Sequence, residues 1–114
     1  MKLITAYIQT FLTSKVTAAL RAAKIHGASV VQCEGFGRMA DDAKAPHYLE
    51  QAAALGFVAK TKLEIVCAEA DLEGIIATIR EHAHTGHHGD GKIFVSDIAD
   101  AVDIRTGVRG EGVV

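Results

Sequence analysis

Thr61-Lys62-Leu63-Glu64-Ile65-Val66-Cys67-Ala68, followed closely by Asp71-Leu72-Glu73-Gly74-Ile75-Ile76-Ala77-Thr78-Ile79, changes its hydrophobic period in mid-course. In the first part Leu63, Ile65 and Cys67 alternate with Lys62 and Glu64, the two-residue repeat of a strand that buries one face. In the second, Leu72, Ile75, Ile76 and Ile79 recur at i, i+3, i+4 and i+7, the stripe of an amphipathic helix. Asp71 stands where a side-chain cap would begin that helix, and its end is expected near His84, before Gly86. Lys92 to Val95 then reads as another strand. Upstream the same order recurs. Lys2 to Gln9 is a strand apolar on both faces, with Ile4, Ala6 and Ile8 on one and Leu3 and Tyr7 on the other. Such a strand is covered on both sides, here by helices and by a subunit interface. A helix is expected from about Ser14 to His26, capped by Thr13 or Ser14 and stopped by Gly27, with Ser29 to Glu34 as the strand after it. The order β-α-β, long segment, β-α-β predicts an α+β fold, the ferredoxin-like βαββαβ arrangement, in one domain spanning residues 1–114. Beyond it, Ile98 to Val102 is expected to form a helical turn before a polar, glycine-rich tail.

Composition narrows the function classes. Hydrophobic residues make up 49% of the 114, yet aromatics are 5% and tryptophan is absent, so the core is aliphatic. A net charge of −2, from 12 basic and 14 acidic residues, argues against a nucleic-acid partner, which calls for a basic face. No apolar run approaches the ~20 residues of a membrane span, and the apolar run after Met1 is too short for a secretory signal. A cytoplasmic protein is the expectation. A chain this short gains from burying surface against copies of itself. Cys33 and Cys67 show no C-x-x-C spacing and are expected as buried free thiols, a redox pair arising only if their strands are neighbours. The stretch from Met39 to Ala59, which holds the sole proline, Pro46, is long for a connection inside a compact domain; such loops usually carry function.

The chemistry concentrates in Thr85-Gly86-His87-His88-Gly89-Asp90-Gly91-Lys92-Ile93-Phe94-Val95. Glycines let successive backbone N–H groups close around an anion, and Lys92 adds a cation beside them. A phosphate-bearing ligand, and first a nucleotide, is implied. The stretch is not G-x-x-x-x-G-K-[ST], because Ile93 and a strand follow the lysine, and it is no dinucleotide fingerprint, because no helix opens after the glycines. His82, His84, His87 and His88 crowd the same region. They read either as a transition-metal site or as partly exposed imidazoles at a helix C-terminus, where positive charge is favoured. The sequence shows no triad, no paired catalytic carboxylates and no nucleophile beside a base, so a binding protein is expected rather than an enzyme.

With this element order, Gly35-Phe36-Gly37-Arg38, the Thr85–Val95 stretch, and Ile104-Arg105-Thr106-Gly107 with Arg109-Gly110-Glu111 together resemble the PII signal-transduction family over nearly the whole chain. The resemblance implies a homotrimer that binds an adenine nucleotide in clefts between subunits. A long T-loop, here residues 39–59, would dock a target protein. It places Gly37, Arg38, Gly89, Asp90, Gly91, Lys92 and Arg105 at the nucleotide, Ser29 and Val66 at its base, and Tyr7 near the cleft. Lys60 falls where the family's nitrogen sensors pair a lysine with the effector carboxylate. Met39 stands in place of the glutamine that helps hold Mg-ATP and 2-oxoglutarate, and a thioether is a poor partner for Mg²⁺. Asp103 replaces an arginine that contacts terminal phosphates, which disfavours ATP relative to ADP or AMP. Tyr48 does not fall at the family's modified tyrosine. These departures resemble PII-like proteins of inorganic carbon metabolism, including carboxysome-associated ones, with bicarbonate as the small ligand at Lys60 and Met39. A nitrogen sensor for Mg-ATP and 2-oxoglutarate, and a metal-responsive trimer using the histidines, are the alternatives.

Overall fold

The computed structural model describes residues 1–37 and 56–114. Its elements are β1 (Lys2–Gln9), α1 (Thr13–Ala22), β2 (Ser29–Gly35), β3 (Val58–Cys67), α2 (Leu72–Ala83) and β4 (Lys92–Asp97). The strands form one sheet in the order β2-β3-β1-β4, with every neighbouring pair antiparallel. This is the expected ferredoxin-like arrangement. The two-residue period explains the sheet's sidedness. Ile4, Ala6 and Ile8 of β1 and Leu63, Ile65 and Cys67 of β3 face the helices, where Val16 and Leu20 of α1 and Ile75, Ile79 and Ala83 of α2 complete the core. Each fully buried Val, Leu or Ile contributes about 1.5–3 kcal/mol relative to exposure. As the composition implied, no aromatic side chain belongs to this core among the described residues.

Among the described residues one polar side chain is sealed into that core. Thr61 is fully buried. Its oxygen lies 2.8 Å from Thr13 Oγ1 and 3.2 Å from Gln32 Oε1, within hydrogen-bond reach of both. The pair fastens the start of α1 to β3 and β2. A buried hydroxyl without partners would destabilise the fold by about 1–3 kcal/mol, so this network is what makes a threonine tolerable there.

Several local expectations are corrected. Neither Thr13 nor Ser14 caps α1. A 3₁₀ turn, Thr10–Leu12, leads straight into the helix, and the Thr13 hydroxyl instead reaches back to the Thr10 carbonyl at 2.8 Å. Asp71 likewise makes no side-chain cap, because the 3₁₀ turn Glu69–Asp71 runs into α2 and orders its first turn through backbone bonds. Helix α1 ends at Ala22, before Gly27. Lys24 takes the left-handed conformation at φ 60°, while Ile25 N–H donates to Leu20 O at 3.1 Å and Lys24 N–H to Arg21 O at 3.0 Å. That is a Schellman stop, and it is driven by Ile25 folding back onto the core. Residues Ile98–Val102 form no helical turn; Val102 pairs instead with Arg109 across a small hairpin.

The sheet's other face carries Leu3, Tyr7, Val31, Val66 and Phe94, with Val31, Val66 and Phe94 exposed. Tyr7 and Phe94 meet edge to face there, with centroids 6.2 Å apart. Strands β2 and β3 are neighbours, yet Cys33 and Cys67 cannot bridge. Cys33 stands opposite Lys60, seven residues along β3 from Cys67, or about 23 Å at strand rise. Both thiols are free, Cys67 buried and Cys33 half-buried. No helix among the described residues is long and apolar enough to cross a membrane.

Candidate functional site

The glycine turn between α2 and β4 is folded around one carboxylate. Asp90 accepts the backbone N–H of Thr85 at 2.7 Å and of Gly86 at 2.9 Å, the Gln9 amide at 2.9 Å, and the Thr85 hydroxyl. Burial alone would raise its pKa. The bonds from Thr85, Gly86 and Gln9 outweigh that and hold the group down at about 2. An ionised carboxylate offers about four acceptor sites, and here four donors use them. Asp90 is therefore the anion that shapes the turn.

Gly89 and Gly91 are glycines of necessity. Their φ values are 97° and 106°, in the region that side chains disfavour. At Gly91 a Cβ would also lie 1.7 Å from the Tyr7 carbonyl oxygen, so only glycine lets the turn close against β1. Lys60, half-buried on β3, donates from its ammonium to the Gly89 carbonyl. Burial lowers its pKa, with Asp90 and Cys33 pulling the other way. Lys92 opens β4 opposite Tyr7, exposed at the exit of the turn. The structure thus gathers Gly89, Asp90, Gly91, Lys92 and Lys60 at one end of the sheet.

The remaining expected residues lie elsewhere. Ser29 and Val66, with Glu64 and His26, line a groove of about 500 Å³. Arg105, Asp103 and Ile104 border an adjoining recess of about 530 Å³ that shares Val66. The groove includes Leu3, whereas the turn meets Gln9; six residues of β1 separate these by about 20 Å. Gly37 lies just beyond β2, beside Phe36, whose ring meets Phe57 edge to face at 5.7 Å. Arg38, Met39 and Tyr48 lie outside the described residues.

Asp103 has a structural occupation of its own. Its carboxylate accepts the Thr106 N–H at 2.8 Å and the Thr106 hydroxyl at 3.1 Å, and these bonds hold it below the usual carboxylate range. The hairpin is completed by Asp103 N–H to Val108 O at 2.9 Å and by the Arg109–Asp100 ion pair at 2.8 Å. His82 Nδ1 is turned back onto its own helix, 2.8 Å from the Thr78 carbonyl. Among the described residues no three metal-ligating side chains converge.

Sequence reading placed Thr85 at the start of this stretch but did not single out its bonds to Asp90, nor Gln9 as a partner of the turn. An aspartate between two glycines signals a carboxylate that organises backbone N–H groups, but nothing marks which distant strand end supplies the last donor.

Residues 1–108 match the protein family described as Nitrogen regulatory protein P-II. A nitrogen regulatory protein P-II of Mesorhizobium japonicum is 41% identical over 110 residues, 96% of each chain. The nitrogen regulatory protein GlnK of Escherichia coli is 35% identical over 111 residues, 97% of each. Among solved structures, Arabidopsis thaliana PII bound to citrate superposes with a TM-score of 0.76 at 35% identity, covering 97% of this chain and 86% of that one.

Proposed function

Because the chain belongs to the nitrogen regulatory protein P-II family of signal-transduction regulators, we propose that it is a nucleotide-gated regulator rather than an enzyme. Three copies form clefts, each taking an adenine nucleotide, ADP or AMP in preference to ATP. The observation that carries this reading is the glycine turn. Gly89 and Gly91 hold positive φ against β1, Asp90 fixes the backbone, and Lys92 stands at the exit. Such a concave backbone with an adjacent ammonium receives phosphate oxygens.

The distance between the turn and the Ser29–Val66 groove supports a cleft shared between copies, with one chain's turn meeting the next chain's groove. Exposed Val31, Val66 and Phe94 give the sheet an apolar face for that contact. In this reading Arg38 and Arg105 assist at the phosphates and Gly37 lines the cleft. Ser29 and Val66 receive the base. Asp103, anionic beside Arg105, disfavours the most highly charged phosphate chain. Nucleotide occupancy shifts the population of arrangements of the expected 39–59 segment up to the start of β3 at Val58, and that segment docks a target protein. Lys60 and Met39 form the place for a small anion, with bicarbonate the proposed effector, and carboxysome association a further part of the same reading. A second reading, Mg-ATP with 2-oxoglutarate, is favoured by the nitrogen-regulatory names of the relatives.

Calorimetric titration with ATP, ADP and AMP, each with and without bicarbonate or 2-oxoglutarate, separates the two. ADP or AMP binding strengthened by bicarbonate supports the first reading, and Mg-ATP binding strengthened by 2-oxoglutarate supports the second. Lys92→Ala is expected to weaken ADP binding about tenfold or more while the trimer persists, as for loss of one charged hydrogen bond. Unchanged affinity would remove Lys92 from the phosphate site.

A further inference from the structure

Two side chains outside the glycine turn reach it from the sheet, and the strand register explains why they act together. Gln9 and Lys60 are direct cross-strand partners at the last pair of the β1–β3 ladder. From that shared rung Gln9 Nε2 donates to the Asp90 carboxylate at 2.9 Å, and the Lys60 ammonium donates to the Gly89 carbonyl. They therefore flank a single peptide unit, Gly89–Asp90, with Lys60 on its carbonyl and Gln9 on the side chain of the residue that supplies its N–H. A trans peptide is planar, with its C=O and N–H pointing opposite ways. Holding the Gly89 carbonyl toward Lys60 turns the Asp90 N–H away from β3. Glycine at 89, with φ 97°, has the backbone freedom to let that peptide rotate if the hold is lost.

We propose that Gln9 and Lys60 are positioning residues that fix the orientation of the Gly89–Asp90 peptide, so that the Asp90 N–H is presented as a phosphate donor. The proposal rests on the nucleotide reading given above. It assigns the Lys60 ammonium to the peptide behind the phosphates rather than to the phosphates themselves. Gln9 carries no charge and bonds Asp90, so its influence on phosphate binding is assigned to the turn.

The test compares Gln9→Met, Lys60→Met and the double variant with the wild-type protein. Calorimetry is run with adenosine and with ADP, and amide hydrogen exchange is followed at residues 89–91. Both single variants are expected to lose ADP affinity about tenfold, with adenosine binding and the trimer unchanged. The double variant should lose little more than either single variant, because the two grips hold one peptide. With ADP present, exchange at Asp90 should quicken in all three, and Lys60→Arg should restore part of the ADP affinity. Loss confined to Lys60→Met, with Gln9→Met binding like wild type, would overturn the proposal by making Lys60 a direct phosphate contact. Equal loss for adenosine and ADP would overturn it as a general loosening of the fold. A wild-type protein that binds neither ligand would instead defeat the nucleotide reading, and the proposal with it.

Discussion

The glycine turn of residues 85–91 and the C-terminal hairpin of residues 100–110 are both glycine-punctuated loops beside a cation, yet they are held by different means. The turn is fastened from outside as well as from within, where Asp90 holds Thr85 and Gly86. Gln9 and Lys60 reach it from two strands, and Gly91 packs against the Tyr7 carbonyl. The hairpin is fastened from within, by Asp103 to Thr106, Asp100 to Arg109, and the Val102–Arg109 bridge. A loop tied to the sheet shares the sheet's stability. One tied only to itself opens at the cost of its own few bonds. The proposed cleft would draw on both kinds.

The sharpest way to break that contrast is Gly91→Ala. The added methyl meets the Tyr7 carbonyl and must also adopt a left-handed backbone. Overpacking and positive φ together predict a loss of about 2–5 kcal/mol in thermal or denaturant unfolding. A stability within about 0.5 kcal/mol of wild type would mean the turn does not lean on β1.

Acid probes the turn next. The Asp90 pKa, about 2, lies below its ordinary value of 3.8. Its stabilisation is therefore complete above the unfolded-state value and is lost as pH falls toward 2. Asp103 is displaced in the same direction by the Thr106 bonds. In an NMR titration downward from pH 6, the Thr85 and Gly86 amides should hold their positions until below about pH 4 and then move together. Movement of those amides already between about pH 6 and 4 would contradict the assignment of Asp90 as the turn's organiser.

The smallest effect belongs to the hairpin's ion pair. Asp100→Asn removes an exposed partner of Arg109 and is expected to change stability by at most about 1 kcal/mol, less in high salt. A larger loss would show that the hairpin is coupled to the sheet after all.

What the sequence made legible follows from periodicity. Residues 61–79 announced a strand and a helix because alternation and the i, i+3, i+4 stripe each report a buried face. The order of elements then left few topologies to choose from. The turn was visible as glycines around an aspartate. Its anchors were not, because Gln9 and Lys60 become neighbours only through antiparallel register, which no local pattern prints. The helix ends were misread for a related reason. Gly27 looked like a stop, but the core drew Ile25 inward and Lys24 accepted the left-handed position to allow it. Asp71 looked like a cap, and a 3₁₀ turn made one unnecessary.

The edge-to-face contact of Phe36 and Phe57 sits one residue beyond the last β2–β3 pair, Gly35 with Val58. It fixes the mouth of the segment numbered 38–55. With both ends already held together, lengthening the chain between them carries only the logarithmic entropy of a larger closed ring, about 0.6 kcal/mol for each doubling. Insertions there are thermodynamically inexpensive to a sheet whose rungs end at that aromatic knot.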